Sequence, residues 1–173
     1  IAAFGSIDVN GREFDTVNAQ VVVEGEEKGI GDDSVAIHLD IGYTDGYRSF
    51  TWNKKRFPDP KGLIKMLHEN RFKAVVMTDP GLKKDPDWNI YNDGIKNNVF
   101  CKNRDGSVAE GRVWPGKAVF PDFADPVVQK WWGSLFKVHT DNAVDGYCID
   151  VNAPSVFSAR RTLPDSVQHK EGG

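Results

Sequence analysis

Three aspartates follow short apolar runs in the sequence, and each stands where its carboxylate could act in catalysis or bind a ligand. Asp40, Asp79 and Asp150 each stand at the end of such a run. Barrel and doubly wound folds place their active sites at the C-terminal ends of parallel strands. Two carboxylates a short distance apart can cleave a glycosidic bond, one as nucleophile or base and the other as acid. Carboxylates can equally bind Mg²⁺ or Ca²⁺, and a single aspartate at a strand end can be a helix cap.

Alternating strands and helices are predicted to position these aspartates. Apolar runs predict strands at residues 2–5, 34–40, 72–79 and 144–150. Helical spacing of apolar residues predicts helices over 14–28, 59–68 and 126–139. The resulting β-α-β-α-β-α-β order is typical of an α/β fold with a parallel sheet and right-handed crossovers.

A long segment rich in Asn, Asp, Gly, Lys and Trp separates the third strand from the third helix. It covers residues 82–124, which is too long for a plain loop in a compact domain. We therefore expect one domain over residues 1–173, with an insertion at 82–124 that contains hairpin structure.

Composition excludes several classes of partner and cofactor. A net charge of −3 argues against nucleic-acid binding, and the chain has no apolar run long enough for a membrane span. Cys101 and Cys148 suggest neither a disulfide framework nor a zinc site, so no metal or cofactor is expected. The N-terminal residues do not resemble a signal peptide, and with the two cysteines this favours the cytoplasm.

Four separated segments carry longer motifs. They read HLDIGYTDG at 38–46, VVMTDPG at 75–81, VWPGKAVFPDF at 113–123 and DGYCIDVNAP at 145–154. In this order and spacing they resemble the second strand, the third strand, the sugar-stacking loop and the nucleophile segment of glycoside hydrolase family 31. That family comprises α-glucosidases and α-xylosidases, and the resemblance extends from about residue 30 to residue 157.

The resemblance implies a partial (β/α)₈ barrel of about four βα units. It implies that Asp150 is the nucleophile, whose carboxylate attacks the anomeric carbon and forms a glycosyl-enzyme intermediate. It also implies that Asp40 holds sugar hydroxyls and that Trp114 stacks on a sugar ring. The remaining substrate-binding positions that it implies are Ile41, Asp79, Val151 and Phe157. Five of these residues have a structural alternative: a cap for Asp40 and for Asp150, support of the pocket floor for Asp79, and core packing for Trp114 and Phe157.

The sequence also departs from the family pattern. Gly42 replaces the second aspartate of the family's Asp-x-Asp-Tyr-Met motif, in which Thr44 replaces the methionine. In the family's Trp-x-Asp-Met-Asn-Glu-Pro motif, Cys148, Val151 and Ala153 replace the tryptophan, the methionine and the glutamate. Losing that glutamate removes a charge beside the nucleophile. The family's general acid/base comes from the second half of the barrel, and no residue of this chain matches it.

Three functions remain open from the sequence. The first is a retaining α-glycosidase acting on an α-linked oligosaccharide or glycoside, with a second chain or copy completing the barrel. The second is α-glucan lyase or transglycosylase chemistry, since lyases of the family also carry a small apolar residue where Ala153 stands. The third is a catalytically inactive half-barrel that binds sugar or a partner subunit.

Overall fold

The structure is a computed structural model that describes residues 6–9, 12–15, 19–22, 35–150, 156–157, 163–164 and 166–170. The strands in these residues are β1 (Ser6–Val9), β2 (Arg12–Asp15), β3 (Ala19–Val22), β4 (Val35–Leu39), β5 (Phe72–Met77), β6 (Leu82–Lys83), β7 (Glu110–Val113), β8 (Gly116–Val119) and β9 (Gly146–Cys148). The helices are α1 (Pro60–Glu69), α2 (Asn89–Lys96), α3 (Pro126–Leu135) and α4 (Lys137–Thr140), and a 3₁₀ turn covers Ile41–Tyr43.

The chain divides into two compact units. The unit that we call the sheet unit comprises Ile1–Gly46, Phe50–Thr78 and Val138–Cys148. The unit that we call the hairpin unit comprises Tyr47–Ser49, Asp79–Lys137 and Ile149–Gly173. The expectation of one domain with an insertion at 82–124 stays a prediction.

A four-stranded sheet in the order β3-β4-β5-β9 organises the sheet unit. Strands β4, β5 and β9 are parallel, and β3 pairs antiparallel with β4. In this register Leu39 lies opposite Val76, and Met77 lies opposite Cys148. The C-terminal ends of the three parallel strands therefore meet at one edge of the sheet.

The core of the sheet unit lies between this sheet and α1. Ile37, Ala74 and Val76 on the strands pack in one buried cluster with Ile64 and Leu67 of the helix. Ile64 and Leu67 lie three residues apart, which places both on one helix face. The apolar side of the sheet is thereby covered, as a parallel sheet requires.

Local chemistry fixes the start of α1. The carboxylate of Asp59 accepts a hydrogen bond of 2.9 Å from the amide of Gly62, and Pro60 occupies the first turn. Proline lacks the amide hydrogen that would have no partner there. A β-carbon on Gly62 would lie 2.2 Å from the Asp59 carboxylate, so a larger residue at position 62 would require this side chain to shift.

The first predicted helix is wrong where the structure describes it. Within residues 14–28, Phe14 and Asp15 belong to β2, and β3 covers Ala19–Val22. Val21 and Val22 pair with Ile37 and Ala36 of β4. β-Branched valines favour an extended backbone, and pairing with a neighbouring strand provides hydrogen-bond partners for that backbone. The predicted strand at 2–5 lies outside the described residues.

The other predicted elements are confirmed, the strands with shorter bounds and the helices with bounds shifted by one residue. Strands β4, β5 and β9 fall within 34–40, 72–79 and 144–150, and α1 matches the helix predicted over 59–68. The helix predicted over 126–139 is present as α3 and α4. The three parallel strands and their helices confirm the predicted α/β fold.

The hairpin unit contains a second sheet, in the order β6-β8-β7. Strands β7 and β8 form an antiparallel hairpin, with Val113 paired to Gly116 across the turn. The buried cluster under it includes Val113, Ala118, Phe120, Val156 and Leu163. Helix α2 was not predicted from the sequence. No helix in the described part of the chain is long and apolar enough to cross a membrane.

Candidate active site

Asp40 immediately follows β4 and begins the 3₁₀ turn. Its Oδ1 accepts a hydrogen bond of 2.6 Å from the amide of Ile41, so the carboxylate does cap this turn. The side chain of Ile41 is 7% exposed and packs inward. Among the described residues no hydrogen bond engages Oδ2 of Asp40, so capping leaves an oxygen that can accept from another donor.

A buried aromatic cluster supports the 3₁₀ turn in the sheet unit. Tyr43, in the turn, donates its hydroxyl to the Met77 carbonyl at 3.1 Å and lies 3.3 Å from His139 Nε2. The rings of Phe50 and Trp52 lie 5.8 and 6.1 Å from the ring of His139. Burial lowers the pKa of His139 to about 4, so its ring is neutral near pH 7 and serves packing and hydrogen bonding.

Asp79 follows β5 by two residues and belongs to the hairpin unit. It is 2% exposed, and its backbone carbonyl accepts a hydrogen bond of 3.2 Å from the buried hydroxyl of Ser49. Next to it, Gly81 lies against Val113, where a β-carbon would meet the valine at 2.8 Å. The segment after β5 is thus closely packed.

Asp150 follows β9 by two residues, and it is exposed. Each of the three parallel strands is therefore followed, within two residues, by an aspartate. Val151, the next predicted site residue, lies outside the described residues.

Trp114 and Phe157 come together as an exposed aromatic pair in the hairpin unit. Trp114 occupies the turn between β7 and β8, and its ring lies 5.1 Å from that of Phe157 in an edge-to-face arrangement. The amide of Phe157 donates to the carbonyl of Arg112 at 2.6 Å, which ties the two segments together. Trp114 is 56% exposed and Phe157 is 52% exposed, so both present apolar surface to solvent. Neither aromatic residue is a core residue.

Ion pairs and short polar contacts brace the loops of the hairpin unit. Arg48 donates to the carboxylate of Asp85 from both Nε and Nη2, at 3.0 and 2.7 Å. Burial raises the pKa of Asp85, but the Asp87 amide and the Arg48 guanidinium outweigh it and hold this pKa below its ordinary value. Lys84 pairs with Glu110, and this hydrogen bond raises the pKa of the lysine.

A cluster of a thiol, a carboxylate and an imidazole also lies in the hairpin unit. Cys101 Sγ is 3.7 Å from His169 Nδ1, which is 3.2 Å from Asp122 Oδ1. Burial, and then the Asp122 charge, raise the pKa of the Cys101 thiol to about 12. Sequence analysis missed this cluster because no local spacing links the three residues.

Comparison with known proteins identifies the family of this chain. Residues 14–173 match the model of the family described as "Glycosyl hydrolases family 31 TIM-barrel domain". Alpha-glucosidase 2 of Bacillus thermoamyloliquefaciens is 44% identical over 137 residues, which cover 79% of this chain and 17% of that protein. This chain therefore spans less than a fifth of that relative's length.

Solved structures agree in fold. The Family 31 alpha-glucosidase from Bacteroides thetaiotaomicron aligns at a TM-score of 0.65 with 45% identity, over 72% of this chain and 21% of that chain. The catalytic subunit in the ER glucosidase II heterodimeric complex aligns at a TM-score of 0.72 with 34% identity, over 79% of this chain and 15% of that chain. The chain belongs to glycosyl hydrolase family 31 and forms part of its TIM-barrel domain.

Proposed function

We propose that this chain contributes the nucleophile and part of the sugar-binding surface of a retaining α-glycosidase acting on α-glucosides. The observation that carries the proposal is the aspartate within two residues of the end of β4, β5 and β9. In a barrel enzyme these strand ends supply the catalytic residues. The identified relatives are named as α-glucosidases, which favours a glucoside as the substrate.

The roles follow from the chemistry of each side chain. The exposed carboxylate of Asp150 attacks the anomeric carbon, the aglycone leaves, and water then releases the sugar from the glycosyl-enzyme. Asp40 keeps Oδ1 on the 3₁₀ turn and accepts sugar hydroxyls at Oδ2. The exposed Trp114 offers a flat face to the sugar ring, and Phe157 sets its orientation edge-on.

The remaining predicted residues contribute less directly. Asp79 is buried, which suits a carboxylate that supports the floor of the site more than one that contacts substrate. Ile41 has its side chain in the core, so its contribution to sugar binding is through its backbone position next to Asp40. Val151 follows the nucleophile directly in the sequence.

Departure of the aglycone requires a proton donor, and no residue in this sequence matches the family's general acid. General acid catalysis is worth about 10²–10⁴-fold, so ordinary glycosides react slowly without it. A glycosyl fluoride avoids this requirement because fluoride leaves without protonation. It therefore tests the nucleophile separately from the acid.

The test uses 5-fluoro-α-glucosyl fluoride, whose glycosyl-enzyme turns over slowly. We expect intact mass spectrometry to show one added fluoroglucosyl group, and peptide mapping to place it on Asp150. Asp150→Asn should abolish the adduct. Asp141→Asn, at an exposed aspartate after α4, should keep it. Labelling that persists in Asp150→Asn, or maps elsewhere, would contradict the assignment.

Product analysis separates the alternative chemistries. Hydrolysis of an α-glucoside yields glucose, whereas a lyase yields an unsaturated anhydro-sugar and a transglycosylase yields a longer saccharide. The lyase alternative rests on Ala153 at the position of the family's glutamate. Sugar binding by a folded chain with neither labelling nor turnover would instead identify a non-catalytic module.

A partner that completes the barrel is a further part of the proposal. Among the described strands, β9 lies at an edge of the parallel sheet with β5 on its other side. An open parallel edge favours pairing with another strand. For this segment produced alone, we expect light scattering to show a dimer. For the segment produced together with one that carries the later barrel strands, we expect a heterodimer. A folded monomer that turns over an ordinary glucoside would contradict the need for such a partner.

A further inference from the structure

We propose that Cys101, Asp122 and His169 form a site for one zinc-like divalent metal ion in the hairpin unit. One ligand atom from each residue lies within 4.8 Å of the other two. The set combines a thiol, an imidazole and a carboxylate, the three ligand types that zinc takes from proteins. The sulfur and nitrogen ligands favour zinc or cobalt over magnesium and calcium, which prefer oxygen.

The distances fit tetrahedral coordination. With metal–sulfur bonds of about 2.3 Å and metal–nitrogen or metal–oxygen bonds of about 2.0–2.1 Å, ligand atoms around one ion lie about 3.3–3.6 Å apart. Cys101 Sγ and His169 Nδ1 are 3.7 Å apart, and His169 Nδ1 and Asp122 Oδ1 are 3.2 Å apart. The thiol sulfur and the Asp122 carboxylate oxygen lie within 4.8 Å of each other, so a small approach of these two atoms completes the geometry.

Backbone hydrogen bonds hold the segments that carry the three ligands together. The Cys101 amide donates to the Phe120 carbonyl at 2.8 Å, and the Asp122 amide donates to the Val99 carbonyl at 2.9 Å. The Gln168 amide, next to His169, donates to the Lys102 carbonyl at 2.7 Å. The ligands are therefore positioned by the fold before any ion arrives.

The carboxylate is further oriented by its own hydrogen bonds. The amide of Lys170 donates to Asp122 Oδ2 at 2.8 Å, and the amide of Ala124 donates to Oδ1 at 3.2 Å. Hydrogen bonds of this kind hold a metal ligand in a fixed orientation. The ammonium nitrogen of Lys170 forms an ion pair with Asp125 Oδ2 at 2.8 Å, so that carboxylate compensates the lysine charge.

An adjacent cavity leaves room for a fourth ligand. It has a volume of about 340 Å³, and Asp122 and His169 line it together with Phe100, Lys102, Asp125 and Lys170. Cys101 is 2% exposed and lies on the protein side of the cluster. Two of the three protein ligands thus face an accessible space, which leaves one coordination position open for water or a small anion.

The test is titration of the metal-free chain with Co²⁺, which reports on thiolate ligation through its absorption spectrum. We expect a sulfur-to-cobalt charge-transfer band that saturates at one Co²⁺ per chain and disappears when Zn²⁺ is added. We also expect Zn²⁺ to raise the melting temperature, since a ligand that binds only the folded state stabilises it. Glycoside turnover is not measured, so this result is independent of the proposed function.

Matched variants locate the site. Cys101→Ser should remove the charge-transfer band, and His169→Gln should weaken Co²⁺ binding by at least about tenfold. Cys148→Ser and His68→Gln, at the other cysteine and at an imidazole of the sheet unit, should leave both unchanged. If Cys101→Ser fails to fold, the partly exposed His169→Gln decides the question. No band in the native chain, or a band unchanged in both Cys101→Ser and His169→Gln, would overturn the proposal.

Discussion

Among the described residues, the sheet unit and the hairpin unit differ in how many large apolar side chains they expose to solvent, and most of these belong to the hairpin unit. The sheet unit buries one cluster of large apolar side chains between β4, β5 and α1, and Ile64 and Val76 within it have no exposed surface. Both units contain ion pairs. The hairpin unit also buries large side chains, such as Trp88 and Phe120. It also presents Trp114 to solvent.

This difference matches the distribution of the predicted site residues between the two units. Of the predicted site residues, only Asp40 and Ile41 belong to the sheet unit, at the end of a strand. The exposed aromatic pair, Asp150 and the thiol cluster all belong to the hairpin unit. Loops commonly carry functional side chains, and most of the predicted site residues lie on loops of the hairpin unit. Substitutions in the sheet unit should therefore change stability most, and substitutions at the exposed hairpin residues should change binding most.

The largest effect is expected at the centre of the sheet unit. Ile64→Ala removes a fully buried side chain and leaves a cavity between α1 and the sheet. The free energy of unfolding should fall by about 2–5 kcal/mol. Urea denaturation measures this change. Lys65→Ala, at the exposed neighbour on the same helix, should change the value by no more than about 0.5 kcal/mol.

His139 should make the stability of the sheet unit depend on pH. The unfolded chain protonates this histidine near pH 6.5, whereas burial delays protonation in the folded chain to about pH 4. Between these values the unfolded state binds more protons, so stability falls as the pH falls. One group with this shift contributes about 2–3 kcal/mol over that interval.

The measurement is urea denaturation at several pH values between 7 and 4. His139→Gln should flatten the decline in unfolding free energy, and His68→Gln, at the partly exposed partner of Asp145, should retain it. An identical decline in native chain and His139→Gln would show that another group is responsible.

In the hairpin unit, the largest effect is expected at a helix glycine. A β-carbon on Gly94 of α2 would lie 2.4 Å from the ring of Phe100. Gly94→Ala should therefore lower the free energy of unfolding by about 1–3 kcal/mol through overpacking. Gly133 of α3 has open space at the same position, and Gly133→Ala should raise the free energy by about 0.5–1 kcal/mol. Thermal melts of the two variants that shift in the same direction would contradict this reasoning.

The sheet unit was the more predictable of the two from sequence. Its parallel strands are short apolar runs, and α1 carries both a capping aspartate and a proline in its first turn. The wrong helix over residues 14–28 failed because pairing of β3 with β4 decides the conformation there. Such pairing is tertiary, and helical spacing alone cannot reveal it.

The hairpin unit was predictable only in outline. Its hairpin was expected, but α2 has only eight residues and includes Gly94, and no side chain caps its start. Contacts with distant aromatic residues support it, such as the 2.6 Å hydrogen bond from Trp131 Nε1 to Asp93. The thiol cluster joins Cys101 to a histidine 68 positions later, so no sequence motif could indicate it.

The candidate site was identified by resemblance more than by pattern. Apolar runs alone drew attention to Asp40, Asp79 and Asp150, without distinguishing caps from catalytic groups. The structure shows that Asp40 is a cap, and that this role occupies one of its two oxygens. One carboxylate can therefore cap the turn and also bind a sugar. The sequence analysis had treated these two roles as alternatives.

The smallest effect on stability, joined to a clear effect on binding, is expected at Trp114. The side chain is more than half exposed, so Trp114→Ala should change the free energy of unfolding by about 0.5–1 kcal/mol, mainly through loss of the edge-to-face contact with Phe157. Affinity for an α-glucoside should fall by about 1–3 kcal/mol, since a stacking surface is removed. Calorimetric titration and urea denaturation on the same sample separate the two quantities. Trp114→Phe should restore part of the affinity because it keeps an aromatic face. A large loss of stability with unchanged affinity would mean that Trp114 serves packing and not sugar binding. The exposed residues of the hairpin unit would then not be the ones that determine binding.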